Sequence, residues 1–339
     1  MIELQGVAAQ MSTYPMDVRH LEVLLPHQIR TWDPMVDRIV VTIDTHQSRS
    51  GRYRVRNFDD NLARLREILG NACREHPKLR VLDVDYSKET RHAVAEFFFG
   101  TQDVPDKAWD GGPFYSYFYG LYVAAARHVV HFDGDMLFGG CSLTWMHEAV
   151  SAMRRDPSLL MVAPFPGPPR TDGMIFGHAT AASRAVDSGE SRFVYRHPDV
   201  STRVFMIDLD KFKRSMGVFP LLRPTGVQRL KATLLGNPPQ VREAEVLLTH
   251  ALRLYGLYRL DMLGAAPGLW SLHPPYRSEE FYQRLPEFVT RIEAGDVADG
   301  QRGHYDLNDS MIDWTRARAA NRWYRRYLRM TVQRLRTGV

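Results

Sequence analysis

His128-Val-Val-His-Phe-Asp133-Gly-Asp135-Met-Leu-Phe138 is the stretch on which the fold turns. A short run, apolar but for two histidines, gives way to two carboxylates one residue apart. Its length and the turn residues that bound it read as a buried strand over 128–132 that ends at the acids. Two aspartates there repel each other unless a cation lies between them or one keeps its proton. In an open α/β sheet, ligands bind beyond the carboxyl ends of the strands. The pair Asp133 and Asp135 therefore reads as a site for Mg²⁺ or Mn²⁺, hard ions that take carboxylates together with phosphate oxygens. A solvated Asp-Gly-Asp turn is the plain alternative.

Working outward, residues 114–127 are apolar and aromatic, a buried helix. Upstream, the spacing predicts a first buried strand over 37–44, a helix over 59–75 and a strand over 79–84. A helix over 88–98 follows. Downstream, helices are expected over 143–155, 209–216 and 243–255, with strands over 159–163, 203–207 and 257–262. Pro164-Phe-Pro-Gly-Pro-Pro169 reads as a breaker, and 170–200 as irregular. Short strands alternating with amphipathic helices predict an α/β fold with a mainly parallel sheet.

Composition narrows the function. With 44% hydrophobic and 24% charged residues, the chain is neither disordered nor a disulfide scaffold. Cys73 and Cys141 are the two cysteines, and they form no metal-binding spacing. The net charge is +5, but the segment 314–339 holds eight arginines and no Lys, Asp or Glu, which leaves −3 for residues 1–313. A nucleic-acid-binding body is therefore not expected. No stretch approaches the length of a membrane span, and the first residues lack a signal peptide's pattern, so a cytoplasmic protein is expected, with peripheral contact to a membrane left open.

Gly112, the aromatic helix, the strand and Asp133-Gly-Asp135 together resemble the centre of a GT-A-fold, family-2-like glycosyltransferase. The likeness covers about residues 37–276 and rests on order and spacing. It implies a GT-A-like, Rossmann-type sheet flanked by helices, with a UDP, GDP or dTDP sugar as donor and an acceptor of unknown identity. It further implies Mn²⁺ or Mg²⁺ on Asp133 and Asp135, with His273 of Trp270-Ser-Leu-His273-Pro-Pro as a late third ligand. Asp44, Asp83, Asp85 and Asp133 would hold the donor nucleotide. Glu245, in Glu243-Ala-Glu245-Val-Leu-Leu248, takes the place of the catalytic base of inverting members. Ala244 departs from the acidic pair of the family, and both glutamates also suit the positive end of a helix. Leu247, Leu248, Ala251 and Leu254 are expected to face the sheet.

Arg49, Arg52, Arg54 and Arg56 are candidates for the diphosphate, since arginine pairs bidentately with phosphate. A nucleotidyltransferase of similar fold would carry a Gly-rich loop after its first strand, and Thr45-His-Gln-Ser-Arg49 is not one. A non-catalytic binding or membrane scaffold is the other alternative. The expected organisation is a lead-in over 1–36 and a catalytic domain over 37–276, its donor half 37–140 and acceptor half 141–276. A helical extension over 277–339 completes it, ending in a basic amphipathic helix over 312–336 whose apolar face would pack on its own domain or a second subunit, or else meet a membrane surface.

Overall fold

Small and β-branched residues build the middle of the sheet, and aromatic helices cover it. The computed structural model describes residues 6–48, 53–176, 183–186, 192–197 and 199–322. In chain order the elements begin with β1 (Val7–Thr13), α1 (Val18–Trp32), β2 (Arg38–Ile43), α2 (Phe58–Glu75), β3 (Leu79–Asp83), α3 (Lys88–Phe99), α4 (Tyr115–Val123) and β4 (His128–Asp133). They continue with β5 (Leu137–Gly139), α5 (Trp145–Arg155), β6 (Leu159–Pro166), β7 (Met174–Ile175), β8 (Ser183–Arg184), β9 (Val194–His197) and β10 (Val204–Asp208). The last are α6 (Leu209–Ser215), α7 (Gly226–Leu235), α8 (Ala244–Leu254), β11 (Tyr258–Met262), β12 (Trp270–Leu272), α9 (Glu279–Glu293) and α10 (Thr315–Ala320).

The sheet runs β3-β2-β1-β4-β10-β6-β11-β9, with β5 and β12 attached beside β6. The pairs β3–β2, β2–β1, β1–β4 and β6–β11 are parallel. Strand β10 is antiparallel to both β4 and β6, and β9 to β11. Side chains alternate across the sheet. Val129 faces a cluster with Phe98, Phe118, Phe212 and Leu247, whereas Val130 faces one with Leu21, Trp32, Leu65 and Met146. The α/β architecture with a mainly parallel sheet is therefore as the sequence predicts.

Three sequence expectations are corrected. First, 37–44 is the second strand. The first is β1, whose Val-Ala-Ala-Gln-Met-Ser-Thr lacks the branched run that marks a strand. It is central and buried on both faces, and the helix that covers it makes room for its Gln10 side chain. A Cβ on Gly120 of α4 would lie 2.4 Å from Gln10 Nε2. Residues 1–36 thus carry a central strand and a core helix, not a lead-in.

Second, β6 continues through Pro164 and Pro166. The N–H groups of Phe165 and Gly167 donate to Leu269 and Ser271 on one side. Alternation points the two prolines to the other side, where pairing with β10 has stopped at Val162. Missing donors there leave no hydrogen bond unmade. Within the expected irregular stretch 170–200, the described residues include β7, β8 and β9.

Third, residue 276 is no boundary. Helix α9 buries Phe281, Leu285, Phe288 and Ile292 in one cluster with Leu24 of α1 and Leu272 of β12. Of the expected helix over 312–336, α10 lies within the described residues; 323–339 lies outside them. No helix among the described residues is long and apolar enough to cross a membrane.

His27 ties α1 to this frame. Its Nε2 accepts the N–H of Phe138 at 2.9 Å, and its Nδ1 lies 2.8 Å from Glu293 Oε1. Burial is the largest influence on the ring and lowers its pKa, against the pull of Glu293. Protonation at Nε2 breaks the bond to Phe138. The folded chain therefore binds fewer protons here than the unfolded chain, whose histidine titrates near 6.5. The contribution is complete above about pH 6.5 and is lost as pH falls towards the lowered folded value. Urea midpoints measured from pH 7.5 down to about 5 should fall, and His27→Gln should flatten that slope by about one proton.

Candidate active site

The chain fills β1, β2 and β3 in one direction and then returns to place β4 on the other side of β1. This reversal opens a crevice beyond the carboxyl ends of β1 and β4, where Ser12 stands opposite Asp133. A cleft of about 1200 Å³ lies there, and Asp17, Tyr117, Asp133, Glu245 and His273 all line it.

Asp133 ends β4 with its carboxylate 42% exposed and Oδ1 3.7 Å from His131 Nε2. The turn after it is clamped by α1, since Gln28 Nε2 donates to the carbonyls of Gly134 at 3.0 Å and Met136 at 2.9 Å. Asp135 points inward and is fully buried. Arg277 donates from Nε to its Oδ2 at 2.9 Å and also from Nη2. Burial pushes the Asp135 carboxyl up, but Arg277, His273 and His20 outweigh it and hold it well below the usual carboxylate range.

His273 Nδ1 lies 2.8 Å from Asp306 Oδ1, and its Nε2 lies 3.9 Å from Asp135 Oδ2. A carboxylate only accepts, so Nδ1 donates to Asp306. That is the arrangement in which a ligating histidine is usually held. The donors fit a divalent ion in kind: two carboxylates, an imidazole nitrogen, and an Asp135 Oδ1 that is buried without a partner. They are not gathered into a preformed site. Among the described residues no three His, Cys, Asp or Glu side chains form a group able to hold a metal. Arg277 supplies the positive charge at Asp135 instead.

The expected nucleotide residues divide. Asp44 lines the cleft, but its oxygens are taken up within the protein. Lys107 Nζ donates to Oδ2 at 2.5 Å and Ser116 Oγ at 3.0 Å; Tyr86 Oη donates to Oδ1 at 2.7 Å and the His46 N–H at 3.0 Å. It acts as a post that joins β2 to the loop before α4 and to α4 itself. Asp83 and Asp85 are not among the cleft residues, whereas Val84 between them is, as strand alternation requires. Asp83 pairs with Arg66. Asp85 accepts from Thr90 Oγ1 at 2.6 Å and the Ser87 N–H at 2.8 Å, fastening the start of α3. Arg54 lines the cleft, and Arg49 and Arg52 lie outside the described residues.

Glu245 sits in the first turn of α8, where its Oε2 accepts the Thr202 N–H at 3.4 Å. Glu243 precedes the helix and lines the same cleft. Leu247, Leu248 and Ala251 are buried as expected. Leu254 is 60% exposed, and Leu252 takes its place in the buried cluster that also holds Leu247, Leu248 and Ala251.

Sequence reading missed four residues of this cleft. Tyr117 is buried with its hydroxyl unpartnered. Burial first, then the charges of Asp133 and Glu245, raise its pKa. It was visible only as one of many aromatics in its helix. Asp17 and His20 stand in the supposed lead-in. Burial raises the Asp17 carboxyl to about 7 and lowers His20 to about 3. Arg277 had no signal beyond its nearness to His273.

No protein-family model matches the sequence, and no curated protein matches it. Among solved structures, an active-site mutant of LgtC aligns over 92% of this chain and 93% of its own, at 13% identity and a TM-score of 0.35. Residues 1–349 of TarS from S. aureus align over 87% of this chain and 68% of that one, at 13% identity and a TM-score of 0.38. Both are glycosyltransferases. Overlaps this loose carry no weight for the function of this chain.

The Asp44 post yields a test. Lys107→Met leaves a buried carboxylate without its cation, which should cost about 3–5 kcal/mol of stability. Lys107→Met combined with Asp44→Asn should recover most of that loss, measured by chemical denaturation.

Proposed function

We propose that the chain transfers a sugar from a nucleoside-diphosphate donor to an acceptor hydroxyl, with inversion at the anomeric carbon. The observation that carries this reading is that Asp133, His273, Tyr117 and Glu245 share one cleft at the switch point of the sheet. The GT-A resemblance seen in the sequence supports it.

Glu245 takes the proton of the acceptor hydroxyl. The freed oxygen pair forms the bond to the anomeric carbon, and the carbon–oxygen bond to the diphosphate breaks, so the nucleoside diphosphate leaves with its electrons. The Tyr117 hydroxyl, unpartnered in the free chain, donates a hydrogen bond to the sugar between Asp133 and Glu245. Arg203 and Arg54, both on the cleft wall, meet the diphosphate. Asp133, Asp135 and His273 would hold Mn²⁺ or Mg²⁺, which supplies Lewis-acid neutralisation of the leaving group when bound. A non-catalytic binding protein is the second reading, favoured by Ala244 and by the Arg277 cation already seated on Asp135.

Glu245→Gln keeps the volume and removes the base. Turnover should fall by roughly 10² to 10⁴ with donor affinity nearly unchanged. If Glu243→Gln is the damaging change instead, the base is Glu243. If neither matters and no nucleoside diphosphate is released from UDP-, GDP- or dTDP-sugars, the binding-protein reading gains.

For the metal, calorimetric titration of UDP and GDP should show binding that EDTA abolishes and Mn²⁺ restores. Asp135→Asn should weaken the Mn²⁺-dependent part. Equal affinity with and without EDTA would assign the charge balance to Arg277 alone.

A further inference from the structure

Helix α7 presents its apolar side chains to solvent. Val227 is 78% exposed, Leu230 63% and Leu234 53%. At about 100° per residue these three fall within an arc of about 60°. Ala232, the buried residue of the helix, points to the opposite side. The element is well made: Thr225 and Gln228 form a capping box, and Gly236 closes the end in the left-handed conformation. The stripe is thus the designed outer face of a formed helix, and such a patch marks an interaction surface.

Charge identifies the partner. From Met216 to Arg242 the chain holds Arg223, Arg229, Lys231 and Arg242 and no Asp or Glu. Arg223 and Arg229 are exposed, and Lys231 lies 5.5 Å over the Trp109 ring at the flank of the stripe. An apolar stripe flanked by Lys231, with Arg223 just before the helix and Arg229 further round it, suits an anionic lipid surface. A second copy of the chain would set the same cations against each other. The segment 314–339, with eight arginines and no acid, is likewise repelled. The position also fits. Asn237, just after α7, donates to the Trp109 carbonyl at 3.5 Å, and the loop holding Lys107, Gly111 and Gly112 forms a wall of the cleft.

We propose that α7 docks the protein on an anionic membrane, with Val227, Leu230 and Leu234 entering the interface, Arg223 and Lys231 meeting headgroup phosphates and Arg229 adding to the positive field around them. The proposal stands apart from the glycosyl-transfer reading, because none of these residues lines the cleft.

Flotation of the full-length protein with phosphatidylcholine vesicles, with and without phosphatidylglycerol, tests it at low and high salt. The wild type should float with the anionic vesicles at low salt and stay behind with the neutral ones. The triple change Val227→Gln, Leu230→Gln and Leu234→Gln should lower partitioning by about tenfold or more, with circular dichroism and Tm unchanged. Arg223→Glu with Arg229→Glu, both at exposed positions, gives an independent arm and should abolish the preference for anionic lipid. The proposal is overturned if the wild type does not float, or if both variants float as it does, which would move the lipid contact to residues 314–339. It is equally overturned if analytical ultracentrifugation shows a dimer that the triple change dissolves.

Discussion

The parallel pairing of β1 with β4 is the constraint on which the molecule depends. It joins the first strand of the described chain to the strand that ends in Asp133, across more than a hundred residues. Everything between them is a loop-out that must return to the other side of β1. That return creates the crevice, and the crevice collects the charges. Without β1 the sheet has no switch point, and Asp133 would end a strand with nothing opposite.

The charges gathered there are answered within the chain. Arg277 is the cation beside Asp135 and Asp17, while burial raises the Asp17 carboxyl and keeps the His20 ring uncharged at neutral pH. Buried carboxylates without a cation are expensive, so Arg277 satisfies in the free chain a demand that an incoming ion or a cationic group would otherwise meet. Asp135 Oδ1, the Tyr117 hydroxyl, the His20 ring nitrogens and Glu243 Oε2 are among the buried polar atoms that have no hydrogen-bond partner within the described residues.

How much of this was legible in the sequence follows from what each signal measures. Periodicity and β-branching located the helices over 59–75, 88–98 and 243–255 and the strand before Asp133, because those elements bury one face or both with large residues. The same criterion passed over β1, whose Ala8 and Ala9 are small and whose Gln10 is polar. It misjudged Pro164 and Pro166, since composition does not say which edge of a strand is paired. Asp133, Glu245 and His273 reached the cleft because strand ends and helix starts are fixed by local pattern. Asp83 and Asp85 missed it because a single step along a strand reverses direction. Asp17 and Arg277 arrive by tertiary routes alone, and no local pattern marks them.

The antiparallel strand β10 lies between two parallel blocks, β3-β2-β1-β4 on one side and β6-β11 on the other. During synthesis the first block is complete in the emerging chain once β4 has appeared, while β10 is still about seventy residues away. Until it arrives, β4 is an open edge made of Val129, Val130 and Phe132, the kind of edge on which nascent chains pair with one another. His128, His131 and Asp133 interrupt that edge with polar groups at alternate or terminal places. The same aspartate that shapes the cleft thus also ends the apolar run of that edge.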